Sequence, residues 1–211
     1  MRVWWMALAG AAAVGLSSVS FAAATDDLGR FLKTVTSAQG SFEQKVFTRE
    51  GENKDAAGSG DFAFLRPGKF RWHYDAPFEE LIVTDGKTLW LYDKELAQVT
   101  EKALTGAIPA SPASLLFGAQ DFRKDFNVQN LPSKDGLDWL KATPKDETSA
   151  FSEVTIGFKN GLPQKMTLKD NFGQKTRLVF SDFKTNVNLI ASDFRFQAPK
   201  GVEVLKDNSG F

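Results

Sequence analysis

The period of the apolar positions changes once along the chain, and the change divides it into a helix and a long series of strands. Leu28, Phe31, Leu32 and Val35 recur at i, i+3, i+4 and i+7, one stripe of an amphipathic helix. Thr25-Asp26-Asp27 offers an N-cap and first-turn acids, and the spacing predicts a helix ending near Ser37–Gly40. Beyond it the period is two. Phe42 and Val46 alternate with Glu43 and Lys45, Phe62 and Phe64 flank Ala63, and Phe70, Trp72 and Tyr74 alternate with Lys69, Arg71 and His73.

Leu81-Ile82-Val83 and Thr88–Tyr92 predict strands across an Asp85-Gly86 turn, and Gln98-Val99-Thr100 predicts a shorter one. Further strands are expected at Phe122–Gln129, Leu137–Thr143, Glu153–Lys159, Gln164–Lys169 and Lys175–Ser181, with Phe194-Arg195-Phe196 as a last one. Asp135-Gly136, Asn160-Gly161 and Phe172-Gly173 punctuate them, and Gly51–Gly60 reads as a polar hairpin tip. One interruption predicts a second, short helix: Ser111 suits the cap, Pro112 the first helical position and Gly118 the stop. No internal repeat or linker composition appears, so one domain is expected.

About eleven strands with one apolar and one polar face predict a mainly β fold with an antiparallel sheet, wet on one side and dry on the other. Laid flat at ~4.8 Å per strand, such a sheet is roughly 50 Å wide. Two helices, each ~10 Å across, cover less than half of that. The sheet must therefore curl around them. Its concave face either keeps an under-filled apolar cavity or closes on a packed core, and the spacing leaves both open.

The first residues read as an address. Met1-Arg2 is a short basic start, an apolar run follows to about Val14, and Ser20-Phe21-Ala22-Ala23-Ala24 carries small residues at the right spacing. This is the pattern of a secretory signal peptide over 1–24, with cleavage after Ala22 or Ala24, and the apolar run is too short for a spanning helix. No cysteine follows it, so lipid anchoring through an N-terminal cysteine is excluded, and a soluble periplasmic protein over 25–211 is expected.

Composition removes several kinds of chemistry. The 211 residues hold 26 Lys+Arg against 26 Asp+Glu, which argues against a nucleic-acid binder. No cysteine and one histidine exclude disulfides, thiolate nucleophiles, Cys-ligated zinc and two-histidine sites; no metal or cofactor is expected. Phenylalanine is abundant, 19 against 2 tyrosines, so much aromatic surface has no polar handle and must be buried or offered to something apolar.

Among candidate chemistry, His73 falls on the polar face of its strand and reads as a solvated surface residue. Glu79 and Glu80 occupy consecutive strand positions and point to opposite faces, so they cannot work as an acid/base pair. No nucleophile elbow, phosphate loop or dinucleotide fingerprint occurs, and the chain does not read as an enzyme. Arg66 is the unusual charge. It lies two residues after Phe64 and four after Phe62, which by parity aims it at the apolar side. There it would need acceptors such as free carbonyls at a helix end; alternatively the strand ends at Leu65 and the side chain turns out to solvent. The stripe Phe62, Phe64, Phe70, Trp72 reads as core before it reads as the wall of a ligand site.

These residues carry a resemblance. Ser41-Phe42-x-Gln44-Lys45-Val46, Gly60-Asp61-x-x-x-x-Arg66-Pro67-x-x-Phe70-x-Trp72, Val83-x-Asp85-Gly86-Lys87-Thr88-Leu89-Trp90-x-Tyr92 and Gln98-x-Thr100, in this order and spacing, resemble the LolA family of periplasmic carriers of outer-membrane lipoproteins. The resemblance implies an unclosed, eleven-stranded antiparallel half-barrel with a helical lid over an apolar cavity. It implies a non-enzymatic, monomeric carrier that receives acylated lipoproteins from the inner-membrane ABC transporter LolCDE and delivers them to the outer-membrane receptor LolB. It further implies that Arg66 latches the lid by hydrogen-bonding helix carbonyls, that Phe70 and Trp72 lie near the mouth and wall, and that Leu28, Phe31, Leu32, Leu115 and Leu116 belong to the lid over Phe62 and Phe64. Two other readings share these residues: a soluble carrier or sensor of another lipid, and an interaction module with a filled core.

Overall fold

The first helix ends earlier than its apolar spacing predicts, because β-branched residues follow it. Helix α1 spans Ala24–Thr34 and buries Leu28, Phe31 and Leu32. Val35 and Thr36 favour extended backbone, and Ser37–Gly40 opens the first strand instead of ending the helix. The helix starts from Ala23, whose carbonyl accepts the Asp26 and Asp27 amides at 2.7 and 3.1 Å; Thr25 sits inside the first turn and does not cap it. The computed structural model describes residues 23–104, 116, 122–147 and 149–207. The expected leader and most of the expected Ser111–Gly118 helix, Leu115 included, lie outside the described residues.

Among the described residues, one sheet holds all the strands: β1 Ser37–Thr48, β2 Gly51–Leu65, β3 Lys69–Ala76, β4 Glu80–Thr84, β5 Thr88–Asp93, β6 Gln98–Ala103, β7 Phe126–Lys134, β8 Leu137–Pro144, β9 Phe151–Lys159, β10 Leu162–Asp170, β11 Lys175–Thr185 and β12 Glu203–Asp207. A one-turn helix, α2 (Phe122–Asp125), precedes β7. The sheet order is β12-β6-β5-β4-β3-β2-β1-β11-β10-β9-β8-β7. The N-terminal strand thus lies inside the sheet between β2 and β11, and the outer strands β12 and β7 do not pair, so the sheet is unclosed.

Four details differ from the sequence reading. The described residues form twelve strands, where about eleven were expected, and β12 runs parallel to β6 rather than antiparallel. Phe194-Arg195-Phe196 is not a strand; it leaves a 3-10 turn, Ala191–Phe194, on the way to β12. Gly51–Gly60 is strand rather than hairpin tip, because the β1 ladder continues through Val46↔Asn53 and Phe47↔Glu52 and needs no apolar side chains to do so. Phe122–Asp125 is helical, and its strand begins only at Phe126.

The inner face is tightened where β1, β2 and β11 meet. Gly60 faces Tyr74 across the ladder, and a Cβ at Gly60 would stand 1.8 Å from the His73 carbonyl oxygen. A Cβ at Gly40 would meet the Phe62 ring at 2.8 Å. Opposite Gly40 the β1–β11 register slips, and Asp182 adopts a φ of 51°. That bulge reverses the parity of β11, so Phe180 and Phe183, three positions apart, both enter the same aromatic cluster.

The outer face is not uniformly wet. Val83, Trp90, Val99 and Tyr92 share the face opposite Leu89 and Leu91 by cross-strand pairing. Val83 and Val99 are buried, as is Phe194, and none belongs to the main core. The Phe196 ring covers Trp90 and Tyr92 at centroid distances of 6.3 and 5.6 Å. The segment between β11 and β12 is therefore a strap that builds a second, smaller core on the convex side.

Candidate functional site

The concave face presents a continuous aromatic wall. Phe42 stacks on Trp72 at 3.9 Å, Tyr74 meets Phe42 edge-on at 5.1 Å, and Phe62 lies 6.1 Å from Trp72. Phe31 of α1 reaches down to Phe64 at 6.3 Å and Phe183 at 6.0 Å. Phe62, Phe64, Phe70 and Trp72 are all buried. Alternation in β2 and β3 placed these four together and the β1–β2 pairing adds Phe42 opposite Gly60, whereas Phe180 and Phe183 joined them only through the long-range β1–β11 pairing and its bulge.

Arg66 turns inward. Its Nε donates to the Val35 carbonyl at 3.0 Å, at the C-terminal end of α1, and its Nη2 donates to the Leu116 carbonyl at 2.7 Å. The guanidinium stands 4.9 Å from the Phe64 ring centroid and 5.7 Å from that of Phe31. A helix end leaves carbonyls without intrahelical partners, and these are the acceptors that an arginine needs in an apolar setting. Burial pushes its pKa down to about 10, so the group keeps its proton at neutral pH and its bonds are charge-assisted. Leu116 is itself buried, and Leu28, Phe31 and Leu32 join it in the same core. Leu115 lies outside the described residues.

Sequence reasoning missed a second fastening of the same helix end. Asn186 donates from Nδ2 to the Thr34 carbonyl at 3.2 Å, and its Oδ1 accepts the Thr36 amide at 3.0 Å. Ser37 Oγ donates to the Val187 carbonyl at 2.6 Å. Arg66 and Asn186, just past the ends of β2 and β11, thus grip the α1 terminus from two places far apart in the chain, and no local pattern marks that contact.

Beside α1 lies a cavity of about 580 Å³, lined by Leu28, Leu32, Phe122 and Val128, with Arg30, Lys33 and Arg123 around it. Asp27 at this end is buried. Burial pushes its carboxyl above the usual carboxylate range, Arg30 at 3.0 Å pulls it back, and the charge of Asp138 raises it further.

On the convex face His73 is half-buried rather than solvated. Its Nδ1 lies 3.0 Å from Asp61 Oδ2 and 3.2 Å from Asp75 Oδ1, and Arg71 bridges to Asp61 at 2.7 Å. Asp61, His73 and Asp75 could offer three ligand atoms to a cation. Their bonds to one another and to Arg71 account for the cluster as an ion-pair network.

The sequence relationships fit this geometry. The outer membrane lipoprotein carrier protein LolA family model matches residues 33–197. An outer-membrane lipoprotein carrier protein of Cupriavidus pinatubonensis is 47% identical over 189 residues, covering 89% of each chain. Another, of Bordetella pertussis, is 42% identical and covers 95% of each. This chain belongs to the LolA family. Solved structures agree on the fold: an uncharacterized conserved protein of Thermus thermophilus matches with a TM-score of 0.57 at 15% identity, over 87% of this chain and 99% of that one. A LolA superfamily protein of Nitrosomonas europaea matches with a TM-score of 0.51 at 15% identity, over 81% and 95%. Within the LolA family frame, the Arg66-Pro67 pair and the Phe70-x-Trp72 strand lie inside the matched residues.

Proposed function

We propose that this LolA family member is a periplasmic, monomeric carrier that buries the acyl chains of lipoproteins against its aromatic wall. It takes them from LolCDE at the inner membrane and passes them to LolB at the outer membrane, with no chemical step of its own. The observation that carries this reading is Arg66, a protonated guanidinium placed in an apolar concavity with the Val35 carbonyl at the α1 end and the Leu116 carbonyl as its acceptors. Each buried methylene of an acyl chain is worth ~0.8 kcal/mol, so acyl chains do not cross water unprotected. A carrier must also let them go. An arrangement in which the empty state is held shut by hydrogen bonds supplies a competitor to the lipid: entry breaks the Arg66 bonds, and exit restores them. Leu28, Phe31, Leu32, Leu115 and Leu116 form the lid in this scheme, and Phe62, Phe64, Phe70 and Trp72 form the wall.

The helix cap supports cleavage after Ala22 over cleavage after Ala24. Cleavage after Ala22 keeps Ala23, whose carbonyl receives the first helical amides, whereas cleavage after Ala24 removes that acceptor and the buried Ala24. We expect N-terminal sequencing of the exported protein to begin Ala-Ala-Thr-Asp.

The decisive experiment is release. Spheroplasts carrying a radiolabelled lipoprotein are incubated with the purified protein, and the lipoprotein is expected in the supernatant as a soluble one-to-one complex. No release, with an apolar dye still bound stoichiometrically, would reassign the cavity to another lipid. Neither release nor dye binding would leave a filled module.

A further inference from the structure

The aromatic wall ends in a polar cleft that acyl chains do not need. Along β3 the inward row runs Phe70, Trp72, Tyr74, and it ends in a hydroxyl: that of Tyr74 donates to Gln44 Oε1 at 3.0 Å. Beyond it opens a cavity of about 260 Å³, lined by Gln44, Asp55, Gly58, Tyr74, Phe78 and Glu80. That volume lies below the usual range for whole small-molecule ligands and suits a single side chain. Gly58 keeps the floor open, since a Cβ there would crowd the Tyr74 ring at 3.2 Å.

The walls of this cleft have one sign of charge. Glu80 pairs across the ladder with Asp93 on the same face, and Asp55 stands on the facing strand. Among the described residues none of the three carboxylates has an ion-pair partner; Lys94 is engaged by Glu79 on the opposite face. Burial, then the charge of Asp93, push the Glu80 carboxyl above its ordinary value, which is the state of an acid that lacks a cation. Phe78, 60% exposed, and the Tyr74 ring supply aromatic surface beside those carboxylates. Aromatic surface flanked by carboxylates is the chemistry that recognises an ammonium or guanidinium group.

We propose that this cleft is a subsite for the cargo polypeptide, taking a cationic side chain from the residues that follow the acylated cysteine. The inference rests on the carrier reading, because it places the polypeptide where the apolar wall gives way to polar groups. The cleft would favour cargo with lysine or arginine close to the lipid and disfavour cargo with acidic residues there.

The test uses three synthetic lipopeptides that share one triacylated cysteine and differ only in a lysine-, serine- or glutamate-rich tail. At low salt the unaltered protein should bind the lysine tail roughly three- to tenfold more tightly than the glutamate tail. In the Asp55→Asn, Glu80→Gln double variant that preference should fall within about twofold, with the affinity for the serine tail unchanged. The serine tail serves as the fold control, and Glu80→Gln alone, expected to lose about half of the preference, replaces the pair if the double variant does not fold. Equal affinities in the unaltered protein, or a preference that survives the substitutions, would overturn the subsite alone. Failure of all three tails to bind would overturn the carrier reading and this one with it.

Discussion

The two halves of the concave face are filled in opposite ways. On β8–β11, Leu140, Ala142, Val154, Ile156, Met166 and Leu178 are each 0% exposed, and α1 packs across β7, β8 and β9 above them. On β3–β5, Phe70, Trp72 and Leu89 are buried near the lid, but Tyr74, Ile82 and Leu91 are only half-buried. The outer faces reverse the pattern. Behind β8–β11 lie charged positions such as Lys141, Glu153, Lys165 and Arg177, whereas behind β3–β6 the strap from Ala191 to Phe196 buries Val83 and Val99. One half is therefore stabilised from inside, the other from outside. A sheet region supported on its convex side can leave its concave side incompletely packed, and incomplete packing is what an exchangeable apolar ligand requires. On the proposed carrier reading, acyl chains lie against the open half, and the sealed half, β8–β11 beneath α1, serves as scaffold.

The largest effect should come from testing that division directly. Ile156→Ala removes packing that cannot be rehydrated and should cost about 2–5 kcal/mol of stability. Ile82→Ala, on the half-buried wall, should cost about 1 kcal/mol, yet it should weaken acyl-chain binding more than Ile156→Ala does. Denaturant midpoints and cargo affinity for the two variants settle the matter; equal costs with equal affinities would mean that the halves do not divide the work.

Arg66→Leu comes next, since Arg66 joins the two halves at the helix end. Charge-assisted bonds to carbonyls are worth about 1.5–3 kcal/mol each, and the leucine leaves an apolar surface in their place. With the competitor to the lipid gone, cargo should be held at least roughly tenfold more tightly and handed to the receptor correspondingly less. Normal transfer with unchanged retention would remove the latch from the mechanism.

These expectations draw on features that differed in how far they were legible in the sequence. Period-two alternation revealed the inward stripe of β2 and β3, because the register from Gly60–Leu65 to Lys69–Tyr74 runs without a slip. It failed at Phe183, where a bulge at Asp182 reverses the parity, and at Val83 and Val99, which read as ordinary positions until the strap covers them. The direction of Arg66 was ambiguous for a physical reason: parity aimed it inward, but its acceptors belong to α1 and to Leu116, one before and one after it in the chain. Asn186 carried no signal at all, because its role exists only once β11 returns beside β1. Asn186→Ala tests that role. Loss of its bonds to Thr34 and Thr36 should cost about 1 kcal/mol and reduce hydrogen-exchange protection of the Thr36 amide, with acyl affinity raised less than in Arg66→Leu. Unchanged protection would show that Arg66 holds the helix end alone.

The smallest effect concerns the sealed half, where α1 brings Asp27 against the sheet. Its carboxyl is raised by burial and by Asp138, with Arg30 opposing. An acid whose folded-state pKa exceeds its unfolded value binds its proton more readily when folded. Its ionised form therefore costs stability at neutral pH, and the cost is relieved as pH falls through the folded value. Asp27→Asn does not titrate in this range. The stability of the unaltered protein relative to Asp27→Asn should thus rise as pH is lowered from neutral toward the carboxylate range, on top of a constant offset from the lost Arg30 bond. A relative stability that falls on acidification would mean that Arg30 outweighs burial at this site. The α1 end of the sealed half would then be held by an ion pair rather than by apolar packing alone.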